Sequence, residues 1–172
     1  MKINGRTLKR RLYSLTTLPT RVARARYFRG HGVHSPFVYG IVRQVFMKSH
    51  LSSEERVLFD ALVARQFVHR RATQLQNLFT YCNYRSFSID SLSNPCDLCI
   101  LTESSSPATT LELVERAVRR GTTVALMSPY NGRERAELCR QLAEHHTCTS
   151  VDNRGYLLLF TNTALPKQHY RI

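Results

Sequence analysis

His31 and His34 stand three residues apart, the H-x-x-H spacing that can bring two imidazoles to one metal ion. No third ligand accompanies them, because the first acidic residue is Glu54 and the first cysteine is Cys82. With Ser35 beside it, the pair is read either as part of a structural turn-and-cap segment or as shaping a pocket or an interface, and no metal is expected. A second suggestive spacing is Cys96-Asp97-Leu98-Cys99. A redox pair of this form needs a helix N-terminus to lower a thiol pKa, and a zinc site needs a second pair. Here the pair straddles the start of an apolar run that reads as a strand. The other cysteines, Cys82, Cys139 and Cys148, follow no pattern, so all five are read as structural thiols.

Charge offers a third kind of chemistry. Of 25 Lys and Arg, eleven fall within residues 1–50, which hold no Asp or Glu; the other fourteen are set against all 12 acids. The net charge of +13 thus belongs almost wholly to the front of the chain. Lys9, Arg10, Arg11, Arg21, Arg24, Arg26 and Arg29 are candidates to meet an anionic partner. Nucleic-acid phosphates would suit them, with Tyr27 and Phe28 placed to stack a base, and so would an acidic protein surface. A basic amphipathic segment can also lie on an anionic membrane. The plain alternative is a solvated face covering the domain. No single-module signature of a nucleic-acid binder is present.

These residues need a scaffold. A 172-residue chain that is 42% apolar and 22% charged has globular composition and room for one domain with a core. No apolar run approaches the roughly 18–20 residues that cross a bilayer, and the start lacks a secretory pattern. A cytoplasmic protein is expected.

Three regions follow: a basic arm over 1–30, a helical region over 31–85, and an α/β region over 86–172. Ser35 followed by Pro36 opens a helix reaching about Lys48, with Val38, Ile41, Val42 and Val45 on its apolar face. Ser52 and Glu55 have capping-box spacing for a second helix, and a third spans about Ala72 to Cys82. Then the period changes. Strands are expected at Phe87–Ile89, Asp97–Leu101, Thr122–Met127, Cys148–Val151 and Tyr156–Phe160. One helix follows Ser106-Pro107 with apolar positions Leu111, Val114, Ala117 and Val118. Another is capped by Asn131 and ends at His145 and His146, whose imidazolium forms would suit a helix C-terminus. Asp152-Asn153-Arg154-Gly155 is a tight hairpin turn. Strand–helix–strand–helix–strand predicts parallel crossovers, with the hairpin adding one antiparallel strand.

An open sheet closed in this way resembles the C-terminal half of class I methyltransferases that use S-adenosylmethionine. Two stretches carry the likeness further. His31-Gly32-Val33-His34-Ser35-Pro36-Phe37 resembles the His-Gly-Ile-His-Ser-Pro-Phe stretch of a methyltransferase family found in Bacteroidetes. Gly155-Tyr156-Leu157-Leu158-Leu159-Phe160 with Lys167-Gln168-His169-Tyr170-Arg171 is similar to that family's last strand and tail. The resemblance implies a Rossmann-like, mostly parallel sheet with the cofactor over the carboxyl ends of its first strands.

The chain departs from the family where the chemistry lies. Its only G-x-G, Gly30 to Gly32, follows no strand, so it fails the context of a cofactor loop. Between Cys82 and Asp97 there is no room for two βα units of ~30 residues. Thr102-Glu103-Ser104-Ser105 stands where the family has Asp-Gly-Asn-His, and Ser128-Pro129 where it has paired aspartates. Glu103 is the one acid left there, and it joins His31, His34 and Ser35 as a pocket candidate.

The expectation is a shortened, degenerate methyltransferase-like protein that acts by binding, with no catalytic residue and no cofactor. One rival is an active S-adenosylmethionine-dependent methyltransferase of unknown acceptor; another is a basic nucleic-acid-binding module. The deleted strands would leave a sheet edge at residues 86–101, to be covered by the N-terminal helices or paired in a homodimer.

Overall fold

Alternation along the strands dictates the layering. The computed structural model describes residues 32–172. Its sheet comprises β1 (Phe87–Ile89), β2 (Leu98–Leu101), β3 (Thr123–Met127), β4 (Ser150–Asp152), β5 (Tyr156–Leu159) and β6 (His169–Arg171), in the order β1-β2-β3-β5-β4-β6. β1, β2 and β3 are parallel, β4 and β6 are parallel, and β5 runs antiparallel to both its neighbours. The fold is α/β with a mixed sheet, and the β4–β5 hairpin lies where the sequence placed one.

Successive strand residues point to opposite faces. Leu98, Ile100, Ala125, Met127, Tyr156 and Leu158 join one core with α1 (Pro36–Ile41, continued by a wider π turn over Val42–Phe46), α2 (Val57–Ala64) and α3 (His69–Tyr81). Cys99, Leu101, Val124, Leu126, Leu157 and Leu159 face α4 (Pro107–Arg119) and α5 (Arg133–His145). Each fully buried Leu or Ile contributes roughly 1.5–3 kcal/mol, so both faces hold the sheet.

Local chemistry explains two helix starts and one helix end. Ser35 Oγ accepts from Val38 N–H and Ser106 Oγ from Thr109 N–H, with Pro in the first turn of each helix. Gly121, at φ +72°, follows α4. Two starts differ from expectation. α2 begins at Val57, because Ser52 N–H donates to Asn77 Oδ1 (2.9 Å) rather than closing a box with Glu55. Three amides of α3 instead tie down its neighbours: Gln76 Oε1 takes Phe59 N–H, Gln74 Nε2 donates to Phe46 O, and Asn77 Nδ2 to His50 O. α5 starts after Gly132 at φ +99°, without a side-chain cap from Asn131. Leu111 is 40% exposed, at the rim of a groove between α4 and α5.

β6 was not foreseen. Its three residues pair with β4 beyond the hairpin. At the other end β1 is joined to β2 by residues 90–97 alone, without a crossover helix, and its outer side meets no described strand.

The amino edge of the sheet is closely tied. Asp97 accepts from Arg85 N, Ser86 N and Ser86 Oγ at 2.8–2.9 Å, which holds its carboxyl below the usual range. Tyr84 donates to Thr123 Oγ1 (2.7 Å), Thr122 to Cys96 O and Thr161 to Gly121 O (both 2.6 Å). His146 is buried there, with Nε2 2.6 Å from Phe160 O. Burial pulls its pKa down, so it sits in the fold as a neutral ring and not as the imidazolium expected of a helix end. His145 does lie at the exposed end, its Nδ1 2.8 Å from Gln141 O.

Candidate functional site

In open α/β sheets ligands bind outside the carboxyl ends of the strands. Here that edge collects the ends of β1 to β4 and the start of β5. It also collects backbone strain: Asp90 (φ +54°) follows β1, Ser128 (φ +51°) follows β3 and Arg154 (φ +69°) lies in the β4–β5 turn. A left-handed non-glycine residue persists only where its surroundings hold it. Asp90 is held by its own carboxylate, which takes Thr102 N–H (2.6 Å) and Thr102 Oγ1 (2.7 Å) and so ties the ends of β1 and β2. Ser128 N–H donates to Gly155 O (2.8 Å). Asp152 accepts from Arg154 N–H (2.7 Å) and from the Tyr130 hydroxyl.

Arg135 closes the crevice between β2 and β3. From the first turn of α5 its guanidinium reaches back over the strand ends. Nη2 donates to Leu101 O (3.3 Å), Thr102 O (3.2 Å) and Met127 O (3.1 Å), and Nη1 to Thr110 Oγ1 (3.3 Å). Its Nε is buried without a partner. The turns after β1 and β2, Asp90-Ser91 and Thr102-Glu103-Ser104-Ser105, contain no glycine. A cofactor phosphate or methionine moiety would meet side chains there, not bare backbone.

On the other face of the same edge, Arg71 extends from the first turn of α3 to the hairpin. Its guanidinium lies 5.7 Å from the centroid of the Tyr156 ring, and Nη1 donates to Gln74 Oε1 (2.9 Å). It rests against Gly155, where a Cβ would collide with it. Burial lowers the Arg71 pKa and Arg70 beside it lowers it further, while the Tyr156 phenol acts the other way. Tyr156 is wholly buried and its Oη has no hydrogen-bond partner. Burial raises its pKa, so the phenol stays protonated at neutral pH. Asn153 Oδ1 takes Gly155 N–H and Tyr156 N–H, both at 3.0 Å, which identifies that atom as the oxygen. Its Nδ2 is buried and unpartnered. The amide is near enough to the phenol to favour ionisation, yet the two do not meet in hydrogen-bond geometry.

The residues singled out in the sequence are scattered. His31, Lys9, Arg10, Arg11, Arg21, Arg24, Arg26 and Arg29 lie outside the described residues. His34 is exposed and Ser35 caps α1. That helix start adjoins the amino edge, where Phe37 packs edge-on against Phe160 at 5.1 Å. Glu103 is exposed on the loop after β2, at the opposite edge. Ser35 and Glu103 are therefore not neighbours. Arg71, Arg135, Asn153 and Tyr156, which the structure does assemble, were not candidates. Asn153 was legible as a turn residue; the two arginines read as ordinary helix surface.

The described cysteines are all free thiols. Burial pushes Cys82, Cys99 and Cys139 up to about 11, which leaves them unreactive thiols near neutrality. Among the described residues no cluster of three or more His, Cys, Asp or Glu is placed to hold a metal, and no helix is long and apolar enough to cross a membrane. Two hollows lie away from the carboxyl edge. The groove between α4 and α5 has a volume of about 430 Å³ and a cavity of about 410 Å³ lies among Phe37, Tyr81, Tyr84 and Phe160. No family model, curated protein or solved structure matches the chain.

Proposed function

We propose that this chain is a methyltransferase-like protein that has lost S-adenosylmethionine binding and catalysis and acts by binding. Two features support the methyltransferase-type, Rossmann-like reading. The motif likeness lies at both ends of the chain, and an antiparallel β5 is slotted between β3 and β4 beside three parallel strands. The observation that carries the loss is Arg135. Its guanidinium spans the carbonyl ends of β2 and β3, so the crevice beside a cofactor's place is filled by the protein itself. Asp90 is engaged in the fold, since each of its oxygens already accepts a hydrogen bond from Thr102. The residues present do not fit S-adenosylmethionine.

The test is a thermal melt with and without excess S-adenosylmethionine. A ligand at ~100 times its dissociation constant stabilises the fold by about 2.7 kcal/mol, a shift of several degrees at this size. The expected result is no shift. A clear upward shift overturns the reading in favour of an active transferase. The binding partner that suits the charge distribution is anionic, since residues 1–29 hold nine Lys and Arg and no acid. Affinity for RNA or duplex DNA should then fall steeply with salt. Affinity indifferent to salt would rule out a phosphate-driven contact.

A further inference from the structure

Four aromatic rings meet at the amino edge without filling the space between them. Phe37 comes from the first turn of α1, Tyr81 from the end of α3, Tyr84 from the loop before β1 and Phe160 from just past β5. They border the cavity of about 410 Å³. We infer that this cavity binds a small, uncharged, flat aromatic molecule whose rim carries a hydrogen-bond acceptor. Phe37 stands edge-on to Phe160 (83° between the planes, centroids 5.1 Å apart) and tilted to Tyr81 (42°, 6.4 Å). Because the ring planes differ, an aromatic guest can meet one wall face-on and another edge-on, the arrangements such pairs favour. Gly40, which has no Cβ, lets the hydroxyl end of Tyr81 lie against α1, where a side chain would collide with it. Tyr81 nevertheless remains 37% exposed and Asn162 beside the cavity is exposed, so the space opens to solvent there.

The class of ligand follows from the lining. Among the described residues no charged side chain borders the cavity. Burial pushes the Cys82 thiol up to about 11 and raises the Tyr84 phenol as well, so both of these lining groups are uncharged at neutral pH. A carboxylate or an ammonium entering there would give up its water and find no counter-charge. Most polar groups of the lining are already engaged: the Tyr84 hydroxyl with Thr123 Oγ1 (2.7 Å) and Thr161 Oγ1 with Gly121 O (2.6 Å). Asn162 differs. Its Oδ1 accepts from Ala164 N–H (3.0 Å), which fixes the amide, and its Nδ2 has no acceptor among the described residues. The group left free is thus a donor, and the complementary ligand atom is an acceptor such as an amide carbonyl. Water can serve Asn162, but it makes no comparable bond to ring walls, whereas a flat ring takes that aromatic surface out of water. The volume lies within the roughly 300–1,000 Å³ of small-molecule sites. The cavity lies at the opposite edge of the sheet from Asp90 and Arg135, so the inference does not rest on the loss of S-adenosylmethionine binding.

The test uses the full chain and three probes of similar size. Benzamide is flat and uncharged, benzoate carries the same ring with a negative charge, and cyclohexanecarboxamide carries the same amide on a puckered ring. Benzamide should raise the melting temperature saturably, while the other two at equal concentration should not. It should also slow the alkylation of Cys82, a lining thiol, and leave that of Cys148, which does not border the cavity, unchanged. Tyr81→Leu keeps an apolar side chain but removes one ring. Asn162→Asp keeps the acceptor for Ala164 N–H and removes the amide donor. Each should weaken benzamide binding roughly threefold to tenfold, the scale of one aromatic pair or one neutral hydrogen bond. Both positions are solvent-exposed, and the melting temperature without probe shows that the variants keep the fold. The inference is overturned by the absence of a saturable shift, or by a response to benzoate or cyclohexanecarboxamide equal to that of benzamide. Protection of Cys148 equal to that of Cys82, or unchanged affinity in either variant, overturns it as well.

Discussion

The two edges of the sheet treat polar groups in opposite ways. At the amino edge Asp97, Tyr84, Thr122, Thr161 and His146 each have a partner, at 2.6–2.9 Å. At the carboxyl edge lie all three of the described buried side-chain atoms that have none: Arg135 Nε, Asn153 Nδ2 and Tyr156 Oη. That edge also carries three of the five left-handed non-glycine residues, Asp90, Ser128 and Arg154. Folding stability alone selects against both features. The amino edge thus holds the sheet together, while the carboxyl edge carries the buried donors without partners and most of the left-handed residues.

The largest expected effect is at Asp97. Its carboxylate joins the start of β1 to the start of β2, accepting from Arg85 and Ser86. Hydrogen bonds to a charged acceptor contribute about 1.5–3 kcal/mol each, and they do not add fully. Asp97→Ala should therefore destabilise the chain by roughly 2–3 kcal/mol, read from the denaturant midpoint at unchanged slope. A loss under ~0.5 kcal/mol would mean that water replaces the carboxylate and that the amino edge is not what ties β1 down.

Acid should find the same edge. His146 has a lowered pKa in the fold, because burial disfavours its charge. At pH values between that lowered value and the unfolded one of about 6.5, the unfolded chain binds a proton that the folded chain refuses, so stability rises with pH there and falls on acidification. Asp97 is also lowered, so its contribution is present above the ordinary carboxylate range and is lost as the pH drops through its folded value. Stability should thus fall first below about pH 6.5 and again below about pH 4. His146→Gln, which can still donate to Phe160 O, should remove the first step and leave the second. A first step that survives in this variant would assign it elsewhere.

Why one edge was more legible than the other follows from range. Ser35-Pro36 and Ser106-Pro107 announce their helices within four residues, and alternation in Leu98–Leu101 and Thr123–Met127 assigns both faces of the sheet. The hairpin at Asp152–Gly155 is equally local. The Ser52–Glu55 box has the right spacing but does not form, because Asn77, 25 residues away, takes the Ser52 N–H. No window of sequence displays that competition. Arg71 and Arg135 failed for the same reason: each occupies an ordinary helical position, and its role exists only once the helix is laid on the strand ends. β6 has three residues and an exposed–intermediate–exposed pattern, too short for a period to speak.

The smallest effect is the most direct test of the comparison, because one oxygen atom can be removed from each edge. Tyr84→Phe deletes a hydroxyl that donates to Thr123 Oγ1 at 2.7 Å and should cost about 1 kcal/mol, the net value of a hydrogen bond together with the acceptor left behind. Tyr156→Phe deletes a hydroxyl that donates to nothing. The ring keeps its edge-on packing against Phe46 at 6.0 Å and its place under Arg71, so only the stranded dipole is lost. This variant should be as stable as the parent chain or more stable by up to ~1 kcal/mol. If the two substitutions cost the same, the Tyr156 hydroxyl has a partner after all and the contrast between the edges collapses.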